Sequence, residues 1–276
     1  MKSIFTRATR QGRRSKNSRS IAITLPGEKF EQRVPAPQNA IDIFRGHWAS
    51  DLRPIFSDAI AGDARHFDKD PKPQWAAQAL GSNSRLDGYS ILELGPLEAA
   101  NTYNLERLGA SVLAIEANVE AYLKCLIVKE ICGLSRAHFL LGDFNQFLAT
   151  TSNRFDLVYC SGVLYHMSDP VSTIEMISKV TDKVFVWSHV YDEHHYTGAE
   201  RVKEYDARFP HIELWSYDHA AGMSDSHFWG GNQSISRWMR AQPMIDAFKY
   251  FGFSEFVMFD VSASATSAAL CFAAKK

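Results

Sequence analysis

The chain is poor in the features that mark secreted, membrane-spanning or nucleic-acid-binding proteins. Its 276 residues include only four cysteines, with no C-x-x-C pair and no metal-ligand spacing, so we expect reduced thiols in the cytoplasm. No apolar run approaches the roughly eighteen residues that a membrane-spanning helix needs. A formal net charge of -1 gives the whole molecule no bias towards nucleic acid or membranes.

Acidic residues are missing from the N-terminus, and this sets the first segment apart. Seven lysines and arginines precede the first acidic residue, Glu28. No apolar core of a secretory signal is present, so residues 1–34 are predicted to form a basic, disordered and solvated tail. A transit-peptide-like role, or a weak electrostatic hold on RNA or anionic lipid, is the alternative.

Glycine is scarce at the turn where a dinucleotide-binding fold needs it. Residues 91–118 predict a strand, a turn, a helix and a second strand that ends at Glu116. A pyrophosphate requires G-x-G-x-x-G, but here Gly95 is followed by Pro96-Leu97-Glu98-Ala99-Ala100. Glu98 would place a negative charge beside a pyrophosphate. The unit therefore favours a nucleoside cofactor without phosphate, such as S-adenosylmethionine (SAM), with Glu116 on its ribose.

An α/β rhythm continues to the C-terminus. Further strands are predicted near 138–141, 155–160 and 183–188, each separated by a helix or a loop, which indicates a doubly wound, mostly parallel sheet. Two final strands, near 255–261 and 267–274, are joined by a short turn and predict an antiparallel hairpin. Residues 35–86 predict a helical extension, which either covers the cofactor mouth as a lid or packs on the sheet edge.

These motifs together resemble the class I SAM-dependent methyltransferases. The residues that match are the Glu93-x-Gly95 start of the first motif, Glu116, Gly142-Asp143-Phe144 after the third strand, and Cys160 to His166 followed by Asp169-Pro170 after the fourth. The resemblance covers roughly residue 89 to the C-terminus and implies a seven-stranded Rossmann-like sheet. It implies a SAM-binding domain over 87–276. The cofactor residues that it implies are Glu93, Gly95, Glu116, Asn118, Asp143, Phe144, Ser161 and Tyr165.

The first motif departs from this family at two positions. Leu97 and Ala99 stand where the family usually has glycine. Since a leucine resists positive φ, we expect the loop to run differently from the common form, with Glu98 as an unplaced charge.

The Gly162-Val163-Leu164-Tyr165-His166 string is similar to a motif of the tRNA wobble-uridine carboxymethyltransferases. This resemblance implies that Tyr165 would meet the carboxylate of a carboxylated SAM. RNA modification is kept only as the alternative, because a net charge of -1 gives little support for the basic face that a tRNA-binding enzyme needs.

Histidines supply the candidate catalytic groups. His166 follows the fourth strand and is positioned to take a proton from a hydroxyl or amine acceptor. Six of the ten histidines lie between 188 and 239, so an insertion at about 190–240 is predicted to bind the acceptor, with His189 and His194 as further candidate bases. Asp192, His194 and His195 form a less favoured metal site, and no metal is predicted.

The function expected from the sequence is methyl transfer to oxygen or nitrogen of a small-molecule or sugar-like acceptor. A catalytically silent SAM-binding interaction module is the alternative from a different class. The sequence does not identify the acceptor.

Overall fold

The computed structural model describes residues 30–194, 201–209, 211–218, 233–261 and 268–276. The chain divides into two units, Met1–Val34 and Pro35–Lys276. Within the first unit the described residues, 30–34, are all exposed, and the rest of the predicted basic tail lies outside the described residues. The second unit is compact and contains every helix and strand discussed below.

The described chain contains ten strands and seven α-helices. The strands are β1 (Ser90–Leu94), β2 (Ser111–Glu116), β3 (Ala137–Leu141), β4 (Leu157–Ser161), β5 (Lys183–Val190), β6 (Val202–Tyr205), β7 (Glu213–Asp218), β8 (Ile235–Met239), β9 (Glu255–Phe259) and β10 (Ala268–Lys275). The helices are α1 (Pro37–Ile41), α2 (Lys72–Leu80), α3 (Ala100–Arg107), α4 (Val119–Cys132), α5 (Phe144–Thr150), α6 (Pro170–Val180) and α7 (Ala241–Tyr250).

A seven-stranded sheet with the order β3-β2-β1-β4-β5-β10-β9 forms the centre of the second unit. The pairs among β1 to β5 are all parallel, whereas β10 is antiparallel to both β5 and β9. The predicted doubly wound, mostly parallel sheet is therefore confirmed, as is its antiparallel C-terminal strand pair. Residues 262–267, where the sequence predicts the short turn between these two strands, lie outside the described residues.

Helices on both faces bury the central strands, which explains their continuous apolar sequences. In β1 every residue after Ser90 is apolar except Glu93, and the four residues 91–94 are buried. One core cluster includes side chains from α5, α6 and α7, and the other includes side chains from α2, α3 and α4. The sheet thus has a hydrophobic layer on each side.

The helix boundaries follow local capping chemistry. The Asn118 side chain accepts a hydrogen bond from Ala121 N at 3.0 Å, which begins α4, and Gly133 ends it in the left-handed conformation at φ 62°. Asp169 accepts from Ser172 N at 2.9 Å and precedes Pro170 in the first turn of α6. Both helices lie where the sequence predicts them, with α4 starting two residues earlier.

The segment before the sheet is less helical than the sequence predicts. Helical residues are confined to 37–44, which includes a short 3₁₀ turn, and to α2. Between them the chain forms a loop in which Asp63 N and Ala64 N donate to Ala49 O. A Cβ on Gly62 would lie 2.2 Å from that same oxygen, so this approach needs glycine. Pro54 and Gly62 break the helical pattern, as the sequence indicates, so turns occupy the stretch between the two helical parts.

The predicted insertion at about 190–240 contains a second sheet that its sequence pattern did not reveal. Strands β6, β7 and β8 form an antiparallel sheet in that order. Backbone bonds join it to the main fold, from Arg237 N to Met167 O at 2.8 Å and from Tyr191 N to Met239 O at 2.9 Å. Among the described helices, none has the length and apolar character needed to cross a membrane.

Candidate functional site

The carboxyl ends of β1, β2, β4 and β5 meet at one edge of the main sheet. The strand order reverses between β1 and β4, which is where open α/β sheets place their ligands. A Cβ added to Gly95, after β1, would lie 3.4 Å from a methyl of Val163, so the loops after β1 and β4 adjoin. A separate cleft of about 340 Å³, lined by Tyr103 and Arg136 among others, lies where α3 and α4 end, at the opposite edge.

The loop after β1 adopts the left-handed conformation at three positions. The φ angles are 64° at Gly95, 56° at Leu97 and 62° at Ala99. The expectation that Leu97 resists positive φ was therefore wrong. A non-glycine residue holds this conformation only where its surroundings impose it, and the contacts of this loop do so. Leu97 N donates to Glu116, and Leu97 O accepts from the thiol of Cys125.

Glu98 is not the unplaced charge that the sequence indicated. Its side chain is 3% exposed and accepts hydrogen bonds from Ala49 N at 3.0 Å and from Ser50 N at 2.8 Å. The ammonium of Lys124 lies 3.1 Å from the same carboxylate. Because this charge is buried and paired with Lys124, the argument from a free Glu98 charge beside a pyrophosphate does not hold.

Glu116 ends β2 and is held by two backbone amides. One carboxylate oxygen accepts from Asn118 N at 2.8 Å, and the other accepts from Leu97 N at 3.1 Å. Burial raises the pKa of Glu116, and these amide hydrogen bonds lower it in part. Each oxygen keeps acceptor capacity after one bond, so the residue fits a ribose diol. The Asn118 side chain is occupied as the cap of α4.

Glu93 lies within the sheet, one residue short of the end of β1. It is 1% exposed, and its carboxylate accepts a hydrogen bond from the Thr102 hydroxyl at 2.5 Å. Burial raises its pKa to about 8, and the charge of nearby Glu116 adds to the rise. The structure thus places Glu93 beneath the loop, as a support for α3.

The loop after β3 presents one polar and one apolar candidate residue. Asp143 caps α5 by accepting from Asn145 N at 2.8 Å. The Phe144 ring is buried in the core cluster that includes side chains from α5, α6 and α7, so most of its surface is already covered. Ser161, the last residue of β4, is half-buried. These residues surround the edge without forming a hydrogen-bonded group of their own among the described contacts.

Aromatic rings gather at the ends of β4 and β5. The Tyr165 ring centroid lies 4.7 Å from that of His189, 5.7 Å from Trp238 and 6.2 Å from Trp187. His189 and Trp238 stack with their planes 7° apart at 5.5 Å. Trp187 and His189 are two apart on β5, so they point to the same side. Hereafter we name these four residues the aromatic cluster.

Burial in the aromatic cluster favours the neutral forms of its titratable groups. It raises the pKa of Tyr165 to about 12. The pKa of His189 is lowered, chiefly by burial and further by the charge of Arg201, while the Ala268 backbone opposes the shift. Nδ1 of His189 is buried and makes no hydrogen bond with a described residue. Arg201 lies over the Trp238 ring at 3.9 Å.

The other two histidine candidates lie in different surroundings. His166 is half-buried beside Tyr165, with ring centroids 4.0 Å apart, and so adjoins the aromatic cluster. His194 is exposed in a turn, where its backbone N donates to Asp192 at 2.8 Å. The structure therefore brings His166 and His189 together and leaves His194 at the surface.

No group of three histidine, cysteine or acidic side chains suited to a metal occurs in the part of the chain that the structure describes. His195, of the less favoured metal site, lies outside the described residues. So do other members of the histidine-rich insertion: Tyr196, His219, His227, Phe228, Trp229, Gly230, Gly231 and Asn232.

Sequence reasoning missed Trp238 and Arg201. Trp238 lies on β8, a strand that was not predicted, and its neighbours in the sheet are distant in sequence. Arg201 precedes β6 and carries no motif. The alternation of Trp187 and His189 was visible as a signal, since it predicts two rings on one side of a strand end.

Comparisons with solved structures agree with this fold. The N-terminal domain of EvdMO1, solved with SAH bound, has a TM-score of 0.64 and 22% identity, covering 87% of this chain and 94% of that one. Magnesium protoporphyrin IX methyltransferase (ChlM) from Synechocystis PCC 6803, with bound SAH, has a TM-score of 0.51 and 14% identity, covering 87% and 99%. A SAM-dependent methyltransferase from Mesorhizobium loti has a TM-score of 0.51 and 13% identity, covering 76% and 100%. These structures share the fold. A search of curated proteins finds no match.

A family model supplies the decisive comparison. The model described as "Methyltransferase domain" matches residues 86–240, more than half of the chain. This span begins just before β1, continues through all the cofactor-edge loops and ends after β8. The chain therefore belongs to the methyltransferase domain family, and it is an enzyme that takes its methyl group from S-adenosyl-L-methionine.

Proposed function

We propose that this enzyme methylates an oxygen or nitrogen atom of a small, polar, sugar-like acceptor that lies against the aromatic cluster. One observation carries the proposal. The imidazole of His189, kept neutral by burial, lies at the carboxyl end of β5 among rings from three different elements. A neutral imidazole at this edge is suited to accept the proton that an acceptor hydroxyl or amine loses.

The donor is proposed to lie along the loops after β1 to β4. Glu116 takes the ribose hydroxyls with the acceptor capacity that its two amide bonds leave, and Gly95 gives bare backbone beside it. Asp143 and Phe144 flank the adenine, and Ser161 and Tyr165 line the methionine end. Glu93 supports this loop from below through Thr102.

Bound SAM supplies a methyl group activated by its sulfonium, and the chain's residues arrange the acceptor for an in-line displacement. The rings of Trp187 and Tyr165 cover apolar faces of the acceptor and exclude water. His189 or His166 holds the acceptor hydroxyl and takes its proton. Because Tyr165 has its pKa raised to about 12, its hydroxyl stays protonated and orients the acceptor as a donor.

The sugar-like acceptor class has support from a structural neighbour. The N-terminal domain of EvdMO1 was also solved in the presence of SAH and D-fucose, with a TM-score of 0.63 to this chain. Sugars pack their apolar C–H faces on aromatic rings and present hydroxyls at the edge. The half-buried Trp187 ring offers such a face.

Single substitutions test the base. His189→Ala should lower kcat by about 10²- to 10⁴-fold while the Kd for SAM stays within about twofold, because the base acts on the acceptor alone. If His166→Ala lowers kcat more than His189→Ala does, His166 is the base. His138→Ala, an exposed histidine on edge strand β3, is the matched control. If neither substitution at the cluster lowers kcat, histidine catalysis is rejected.

The pH dependence gives an independent test. Since the pKa of His189 is lowered from its ordinary value of 6.5, its neutral form persists below that pH. The acid limb of the kcat profile should therefore fall below pH 6.5 and should disappear in His189→Ala. An acid limb above pH 6.5 contradicts the assignment.

Two of the three alternatives from the sequence have direct tests. RNA modification and the use of a carboxylated SAM both rest on the string from Gly162 to His166. Comparing the Kd for SAM with the Kd for carboxylated SAM decides which donor the enzyme uses. A silent SAM-binding module is excluded by any turnover.

A cytoplasmic location is proposed because all four cysteines are free thiols, as expected in a reducing compartment.

A further inference from the structure

The loop after β1 combines two unfavourable backbone conformations with one buried charge. Leu97 and Ala99 both have positive φ, and Glu98, which lies between them, is 3% exposed. Glycine adopts this conformation freely, whereas a residue with a Cβ does so only under constraint. The constraint must therefore come from the contacts of the loop.

Glu98 makes those contacts with a segment that lies about fifty residues earlier in the chain. One carboxylate oxygen accepts from Ala49 N at 3.0 Å and lies 3.1 Å from the ammonium of Lys124. The other accepts from Ser50 N at 2.8 Å. Three donors thus surround one side chain, and each is a stronger partner because the acceptor is charged.

Lys124 ties the same two parts together from α4. The residue is 4% exposed, and its ammonium donates to His47 O at 2.5 Å as well as to Glu98. Glu120, one turn earlier, lies 3.0 Å from it. A buried ammonium without such partners is very unfavourable, so the ion pair and the 47–50 segment depend on each other.

We propose that Glu98 and Lys124 are positioning residues for the methyl donor, because they hold Leu97 and Ala99 in the conformation that glycine would supply unaided. The inference rests on the proposed function, which places SAM against this loop. It explains how Leu97 N reaches Glu116 at 3.1 Å, a contact that fixes the proposed ribose-binding carboxylate. Without the ion pair, the loop would relax to negative φ and release Glu116.

The principal experiment removes both charges and then restores the loop by another route. In Glu98→Gln/Lys124→Met the buried pair becomes neutral with little change in volume, so that no isolated buried charge remains, since Glu120 is partly exposed and keeps His47 as a neighbour. We expect the Kd for SAM, measured by calorimetry, to rise about tenfold. At saturating SAM, kcat should change by less than about twofold, because the loop does not touch the acceptor.

Adding Leu97→Gly and Ala99→Gly to this variant should return the Kd to near the wild-type value, since glycine needs no constraint at positive φ. The matched control is Glu106→Gln. Glu106 is also buried and also accepts two successive backbone amides, from Ser135 N and Arg136 N at 3.1 Å each, but it lies at the opposite edge of the sheet. The Glu106→Gln variant should lose thermal stability and keep its SAM affinity.

Two results would overturn the inference while leaving the proposed function intact. One is wild-type SAM affinity in Glu98→Gln/Lys124→Met. The other is weakened affinity that the two glycines do not restore, which would show a general loss of structure. Failure of the wild-type protein to bind SAM is a different result, since it defeats the proposed function itself.

A second measurement covers the case in which the double variant does not fold. The conservative Glu98→Gln alone keeps one acceptor oxygen, for either Ala49 N or Ser50 N, and turns an amide NH2 towards the other. Hydrogen exchange of peptides over 46–52 and 93–100 should speed up together in this variant, and SAM should slow exchange over 93–100 in the wild type. Unchanged exchange over 93–100 in Glu98→Gln contradicts the proposal.

Discussion

At the scale of single residues, Glu116 is where the sequence motif and the observed geometry meet most closely. It ends β2 about twenty residues after the first turn, as a ribose-binding acid should, and its carboxylate retains acceptor capacity. Glu116→Ala should raise the Kd for SAM about tenfold or more, because two charge-assisted hydrogen bonds to a diol are lost. Calorimetry measures this. A folded variant with unchanged affinity would falsify the assignment.

Glu93 predicts a pH dependence of stability. Its folded-state pKa of about 8 is above the ordinary 4.5, so the folded state binds the proton more tightly than the unfolded state. The resulting stability is present below the ordinary pKa and is lost as the pH rises towards 8, by about 1.4 kcal/mol per unit. Glu93→Gln should therefore lose less stability than the wild type between pH 7 and pH 8.

Denaturant unfolding at each pH checks this prediction. The window lies above the ordinary pKa of histidine, so the lowered pKa of His189, which acts in the opposite direction at lower pH, contributes little. Parallel slopes for Glu93→Gln and the wild type would show that Glu93 does not titrate as its burial requires.

Residue-level expectations failed where the outcome depended on distant partners. Leu97 was expected to resist positive φ on steric grounds alone, and Glu98 was expected to repel a phosphate. Both expectations ignored Ala49, Ser50 and Lys124, which lie far away in sequence and fold over the loop. Local propensity cannot reveal a constraint that tertiary packing supplies.

At the scale of elements, strong apolar patterns were predicted well and weak ones were missed. Helices α4 and α6 and the strands of the main sheet have long apolar stripes, caps or buried runs, and each was found from them. Strands β6 and β7 have alternating polar sequences rich in charge, so no apolar run marks them. The aromatic cluster was only half predicted because β8 supplies Trp238.

The attachment of the small sheet carries the element-scale prediction. Arg237, on β8, donates to Ser168 O at 2.5 Å and to Glu204 at 2.7 Å, so it joins the sheet to the loop that follows Tyr165. Arg237→Ala should lower kcat/KM for the acceptor about tenfold through displacement of the cluster, with the Kd for SAM unchanged.

Steady-state kinetics with varied acceptor check this, and Lys203→Ala is the control. The ammonium of Lys203 pairs with Glu213 on the same sheet but is exposed, so its loss should have little effect. Equal effects of the two substitutions would mean that attachment of β8 does not position the cluster.

At the scale of the whole molecule, ligand binding should stabilise the compact unit from residue 35 to 276. SAM and S-adenosylhomocysteine bind the folded state, so at a hundredfold excess over Kd they should stabilise it by about 2.7 kcal/mol. For a chain of this size that raises the Tm by roughly 5–10 °C.

NAD should give no shift in Tm. The reason is not repulsion by Glu98, whose charge is paired with Lys124, but the side chains of Leu97 and Ala99, which stand where a pyrophosphate needs bare backbone. Differential scanning fluorimetry with each compound separates the cases, with AMP as a control for adenine binding alone. A shift with NAD and none with SAM would contradict both the cofactor assignment and the account of the loop after β1.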